Sequence, residues 1–155
     1  MFRRHLYRIG KNKKPLFETW ESIAQPESAQ QIRKKLLDCE LLSETADAKK
    51  IYLFHYQPNT AITREIGRLG ELSFRAGGEG TSSYRDIDAF DRNYTHLILW
   101  DDLELEIAGA YRFCDTNMIM SIHGIDGIYT SSLFSFNRDM SNYFYRGLEV
   151  GRSFV

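Results

Sequence analysis

The sequence predicts an α+β fold, an α/β sandwich built on a mixed, mostly antiparallel sheet with flanking helices. Three observations carry this prediction. Ile62, Ile66, Leu69 and Leu72 recur at helical spacing in one amphipathic segment. A short apolar run, "IYLFHY", precedes that helix, and apolar runs joined by polar turns follow it. The 155 residues suffice for one ordinary core with a small appendage. Apolar residues make up 43%, aromatics 14% and charged residues 26%, the balance of a globular domain rather than a disordered or membrane-spanning chain.

In chain order, residues 1–15 read as a short strand and a basic turn closed at Pro15. "LFETWESIA" (16–24) reads as a short helix, and Pro26 opens a better one. There Ser28 and Gln31 have capping-box spacing, Ile32, Leu36, Leu37 and Cys39 share one side, and the pattern fades near Leu42. "SETADAKK" has no apolar period and is the best candidate for a domain boundary. "IYLFHY" (51–56) is a buried strand, after which Asn59 or Thr60 caps the amphipathic helix. Arg64, Glu65, Arg68 and Glu71 face away on that helix, and Gly77, Gly78 and Gly80 stop it. "THLILWDD" and "EIAGAYRFC", joined through "DDLELE", form an antiparallel hairpin. After a turn at "HGIDG", "IYTSSLFSF" is read as a strand, 137–147 as a short helix and "LEVGRSFV" as the last strand.

Several familiar site types are excluded. The glycine cluster lacks the Lys-Ser/Thr of a P-loop, and a helix precedes it where a dinucleotide turn needs a strand; Glu79 would also repel a phosphate. Asp86, Asp88 and Asp91 miss the calcium-loop spacing, so a solvated acidic loop is the better reading than a metal site. The four histidines are scattered, no Gly-x-Ser-x-Gly is present, and Cys114 lies in an apolar strand as a core residue would. Cys39 and Cys114 show neither metal-ligand spacing nor a disulfide framework, which points to a reducing, cytoplasmic setting. The basic start, "MFRRHLYRIGKNKK", lacks the apolar block of a secretory signal. It carries six cations and no acid, a pattern that suits anionic lipid headgroups, an acidic carrier protein or plain solvent. Nucleic acid fits least, because basic and aromatic residues do not interleave along the rest of the chain.

What remains is charge embedded in apolar surroundings. Arg112 sits in "GAYRF", Glu149 and Arg152 in "LEVGRSFV", and Arg75 follows Phe74 at the end of the amphipathic helix. Buried charges demand partners, and Asp88, Asp91 and Glu149 are available to the three arginines. The result is either a structural ion-pair network or an active-site edge. Glu149 and Arg152 are three apart, so a regular strand would point them to opposite faces unless a bulge intervenes.

Four ordered blocks, "REIGRLGELSFRAGGEGTSSYRDIDAFDRNYTHLILW", "EIAGAYRF", "GIYTSSLFSF" and "LEVGRSFV", resemble the hemolysin-like acyltransferases of the GNAT superfamily. That group includes ornithine-lipid N-acyltransferases and is similar to the acyl-homoserine-lactone synthases. The resemblance covers roughly residues 60–155. The earlier "RIGKNKKPLF…IRKKLLDCELL" resembles the tail of a lysophospholipid acyltransferase domain. It implies that residues 1–45 are such a tail or a helical appendage, and that 46–155 are the N-terminal half of a GNAT-like domain.

The activity implied is transfer of a fatty acyl group from an acyl-carrier-protein or CoA thioester to an amine such as ornithine, in membrane-lipid synthesis. The thioester is a co-substrate, with no tightly bound cofactor and no metal; acyl carrier protein and the amine are the partners. By the same resemblance Phe74, Arg75, Arg112 and Arg152 bind the acyl donor or substrate, and Glu149, with Asp88 and Asp91 as alternatives, is the base. The sequence stops at Val155, before the loop and helix that would hold a pantetheine pyrophosphate. An incomplete sheet with an open edge is therefore expected, which a second copy or another chain can cover. The intact protein is then the enzyme, working in the cytoplasm or at the inner face of the membrane, with residues 1–14 as the membrane contact. The competing readings are a non-catalytic module that docks acyl carrier or membrane, and a degenerate fold kept for oligomerisation.

Overall fold

Five strands form one sheet in chain order: β1 (Glu40–Glu44), β2 (Lys50–His55), β3 (Thr95–Asp101), β4 (Glu106–Asp115) and β5 (Leu148–Phe154). Every pairing is antiparallel, so the mixed sheet expected from sequence is an antiparallel meander among the described residues. This computed structural model describes residues 1–14, 16–17, 19–137 and 140–155. The period-2 alternation of β2 and β3 turns Tyr52, Phe54, Ile98 and Trp100 to one face. Two helices cover that face, α2 (Ala29–Leu36) through Ile32 and Leu36, and α3 (Ala61–Ala76) through Ala61, Ile62, Ile66 and Leu69. Ile107, Ala110 and Phe154 complete the core. On the other face Ile51, Leu97, Leu99, Gly109, Tyr111 and Val155 line an apolar groove of about 300 Å³.

The strong periodic segments fold as read. α3 begins at Thr60, whose hydroxyl accepts from Thr63 N at 3.2 Å, and its last helical residue is Ala76, just before Gly77. Elsewhere the chain departs from its local pattern. Residues read as the first strand form helix α1 (Phe2–Gly10), because Phe2, Leu6 and Ile9 share a helical face. The turn at Pro15 lies outside the described residues.

The described part of 16–24 is not helical. Its backbone runs beside residues 82–84, with Glu21 N bonding Ser82 O and Ala24 N bonding Tyr84 O, both at 3.0 Å. α2 starts after Ser28 as expected, although the Ser28 side chain makes no cap bond, and it ends six residues short of Leu42. Residues 40–44 instead pair with β2, which makes "SETADAKK" a hairpin turn rather than a linker; Thr45 N bonds Lys49 O at 2.8 Å. The boundary expected between 45 and 46 falls within this hairpin, and Ile32 and Leu36 share a core with β2 and β3.

Glu65 and Glu71, expected to face solvent, are buried at 7% and 0% exposure. The segment 20–28 and the loop 80–87 lie over this side of α3, and each carboxylate gains a partner there. Glu65 pairs with Arg68 at 2.6 Å and accepts from Glu27 N at 3.0 Å.

Between β4 and β5 the chain forms helix α4 (Thr116–His123), capped by Asp115, which accepts from Asn117 N and Met118 N. The strand expected at "IYTSSLFSF" is absent: a 3₁₀ turn spans Tyr129–Ser132, favoured by Ser131 and Ser132 hydroxyls that bond back to Ile128 O and Tyr129 O at 2.7 Å. Of the helix expected over 137–147, Ser141–Phe144 form α5, and 137 and 145–147 are not helical. Among the described residues no helix is long and apolar enough to cross a membrane.

The two faces of β3 are expected to differ in energetic weight. Ile98→Ala, at 0% exposure, lowers the unfolding free energy by about 2–5 kcal/mol in urea titration, and Leu99→Ala on the groove face by less than half as much.

Candidate active site

The site begins with a loop pressed onto α3. Gly67 and Gly70 leave room for it: a Cβ on Gly67 would meet the Ile87 side chain at 2.5 Å, and one on Gly70 would touch Asp86 at 3.8 Å. Glu71 pins the loop from below, accepting from Thr81 N at 2.9 Å, Thr81 Oγ1 at 2.6 Å and Ser82 N at 3.1 Å. Burial opposes ionisation of Glu71, but the Thr81 and Arg75 hydrogen bonds outweigh it and hold the carboxyl below its usual range. So anchored, the loop carries Asp86, Asp88 and Asp91 to the edge of the sheet's inner face.

Arg112 waits there. It points inward from β4 between Ala110 and Cys114 and is 2% exposed. Its Nη1 donates to Asp91 Oδ1 at 2.8 Å and to Asp88 Oδ2 at 3.1 Å. The Tyr94 and Tyr129 rings lie 4.7 and 4.9 Å from the guanidinium carbon, an arrangement that suits a cation with little water. Burial pushes the Asp91 carboxyl up, against the pull of Arg112. Beside them His96, with Nδ1 unpartnered among the described residues, is pushed down to about 4 by burial and by the Arg112 charge.

Arg152 joins the cluster through a bulge. Ala110 pairs with Phe154 and Arg112 with Gly151, so β5 spends one more residue than β4 over this stretch. Arg152 takes up the slack with φ at 47°, in the left-handed region. The bulge lets Glu149 and Arg152 serve the same site despite their spacing. Arg152 pairs with Asp86 and, at 3.4 Å, with Asp88, and it donates to Tyr129 Oη at 3.2 Å.

Glu149 sits differently. It has no cationic partner among the described residues; it accepts from the Tyr94 hydroxyl and from Thr130 N at 2.7 Å. Tyr94 Oη in turn accepts from Tyr129 N at 2.8 Å, and burial with the Glu149 contact raises its pKa. Among the described residues Glu149 is also the one charged group lining a cleft of about 440 Å³, whose other walls include Phe134, Phe136, Tyr143, Phe144 and Leu148. Cys114 lies beside it, 3.9 Å from the carboxylate, but burial pushes its thiol up to about 11, so it is no thiolate nucleophile.

With this geometry in view, an acetyltransferase (GNAT) domain model matches residues 69–155. The chain belongs to the GNAT acetyltransferase domain family. It is 33% identical over 141 residues to a glycine N(alpha)-acyltransferase of Phocaeicola vulgatus, covering 87% of this chain and 43% of that protein. A glycine N(alpha)-acyltransferase of Bacteroides thetaiotaomicron is 35% identical over 141 residues, covering 87% and 42%. The chain thus spans less than half the length of these curated relatives. No solved structure gives a significant match.

In this GNAT domain five of the sequence-predicted residues, Asp88, Asp91, Arg112, Glu149 and Arg152, converge through direct contacts or through Tyr94 and Tyr129. Phe74 and Arg75 do not join them. Arg75 bonds Glu71 at 2.7 Å and the carbonyls of Glu21 and Ser83 at 2.8 Å, and it stacks on Trp20 at 5.0 Å. Phe74 O closes the helix end by accepting from Glu79 N at 2.8 Å.

Sequence reasoning missed Asp86, Tyr94, Tyr129 and Thr130. Tyr94 had a legible signal, since it continues the inward alternation of His96, Ile98 and Trp100. Tyr129 and Thr130 had none, because their segment was read as a strand.

Two stability measurements check this description. Arg112→Met leaves Asp91 buried without its cation and is expected to cost about 3–5 kcal/mol in urea unfolding. His96 is held neutral with a depressed pKa while the unfolded chain takes up a proton below about 6.5, so its contribution to stability is intact above that pH and lost as pH falls toward 4. The full loss is about 3 kcal/mol. The raised carboxyls of Asp86 and Asp91 act in the opposite sense, so the curves of the native protein and His96→Leu are compared: the difference between them should change between pH 7 and 4.

Proposed function

We propose that this domain belongs to an N-acyltransferase that moves a fatty acyl group from a thioester to the α-amine of a small amino acid such as glycine, with Glu149 as the base. One observation carries the reading: a carboxylate with no cationic partner among the described residues, oriented by two donors, opens onto an aromatic and aliphatic cleft. Asp88 and Asp91, the other candidate bases, are both engaged by Arg112 and serve as its counter-ions.

The chemistry follows from these placements. The amine arrives as an ammonium and gives a proton to Glu149, directly or through a water. The neutral nitrogen attacks the thioester carbonyl, the tetrahedral adduct expels the thiolate, and an amide and a thiol result. Tyr94 and Thr130 N hold the carboxylate in one orientation, and the apolar walls of the cleft take the acyl chain.

The names of the two relatives support glycine as acceptor. The charge distribution supports it as well: the cationic side chain of ornithine would need a free carboxylate, and Asp86, Asp88 and Asp91 are all held by arginines. The donor is an acyl-CoA or an acyl-carrier-protein thioester, and the product, an N-acylated amino acid, is a membrane lipid or its precursor.

The test uses the intact protein with palmitoyl-CoA or palmitoyl-acyl carrier protein and with glycine or ornithine, reading the amide by mass spectrometry. N-palmitoylglycine is expected in excess of the ornithine product, and Glu149→Gln should lower kcat by about 10²–10⁴ with native unfolding behaviour. Amide formation that survives Glu149→Gln undiminished would remove Glu149 from the mechanism, and ornithine as the better acceptor would overturn the choice of glycine.

A further inference from the structure

We infer that α1 and the residues just after it form a docking surface for an anionic lipid bilayer. The inference is independent of the acyl-transfer reading. Phe2, Leu6 and Ile9 lie along one face of α1 at 69%, 52% and 42% exposure, so an apolar stripe stands in solvent with no described element packed on it. Arg4 and Arg8 occupy the opposite face by helical spacing, and Arg3, Lys11, Lys13 and Lys14 extend the positive charge along the same fourteen residues. Among the described residues none of these six cations is in an ion pair; Arg8 bonds only the Lys14 carbonyl, at 2.6 Å.

The segment is built rather than merely exposed. His5, the buried residue of α1, accepts from Leu16 N and Phe17 N at 3.1 Å and packs on the Phe17 ring at 4.9 Å. This folds the chain back and leaves Leu16 and Phe17 40% and 43% exposed beside the helix. Trp20, 48% exposed and stacked on Arg75, extends the same segment. An aromatic and aliphatic surface rimmed by these cations matches a headgroup boundary, where apolar side chains enter the acyl region and arginines and lysines meet phosphates. An acidic carrier protein would use the cations but leave the stripe in water, which makes the bilayer the better fit.

The experiment is co-sedimentation of the intact protein with phosphatidylcholine vesicles and with vesicles of phosphatidylcholine and phosphatidylglycerol in about a two-to-one ratio. Binding to the anionic vesicles is expected to be tighter by about tenfold or more and to weaken with added salt. Trp20 emission should shift to the blue on binding, against a constant background from Trp100, which is 1% exposed. Leu6→Asp/Ile9→Asp and Arg3→Ala/Arg4→Ala should each weaken vesicle binding by about tenfold with unchanged thermal unfolding, since all four side chains are exposed. Equal binding to both vesicles, or vesicle binding that both double variants leave intact, would overturn the inference. So would variants that impair binding to acyl carrier protein and spare binding to vesicles.

Discussion

The burial of one guanidinium organises this domain. Arg112 occupies an inward position in a strand whose neighbours belong to the core, where a lone cation is intolerable. Its counter-ions come from a loop that must therefore cross α3 closely enough to deliver Asp88 and Asp91. The crossing requires the missing side chains of Gly67 and Gly70, and it is secured by Glu71. The two tyrosines that lie against the cation are then fixed as well, and one of them reaches Glu149.

This dependence separates two roles that the same residue types could have shared. Asp86, Asp88 and Asp91 are each paired with Arg112 or Arg152, and the five hold the edge of the sheet together. Glu149 stands just outside that network, joined to it through a hydroxyl rather than a charge. The sequence posed a choice between a structural ion-pair network and an active-site edge; the structure has an ion-pair network at the sheet edge and, beside it, one carboxylate that faces the cleft.

Legibility in the sequence followed the physics of each part. α3 and strands β2 to β4 were readable because a single periodicity governs their burial, with one face packed and the other not. β1 was not, since Glu40–Glu44 is exposed throughout and pairs through its backbone, which leaves no apolar alternation to detect. The charged members of the site were readable as charges out of place in apolar runs. Their partners were not, because which acid meets which arginine is settled by the loop's path; Arg75 was assigned to the cleft and found Glu71 instead. Glu65 and Glu71 were misread for a related reason: helical spacing placed them on the outer side of α3, and chain from distant parts of the sequence covers that side.

The bulge in β5 makes this site depend on counting. Substitutions at Ser153 leave the chain length between Glu149 and Phe154 untouched, and with it the arrangement that brings Arg152 to Asp86. Loss of a single residue there would restore plain alternation and turn the arginine toward the greasy far side of the sheet. Insertions and deletions, tolerated most readily in loops, are thus the genetic changes to which a strand interior is here most vulnerable. A search for proteins that share this chemistry gains more from the interval separating the glutamate and the arginine than from either residue alone.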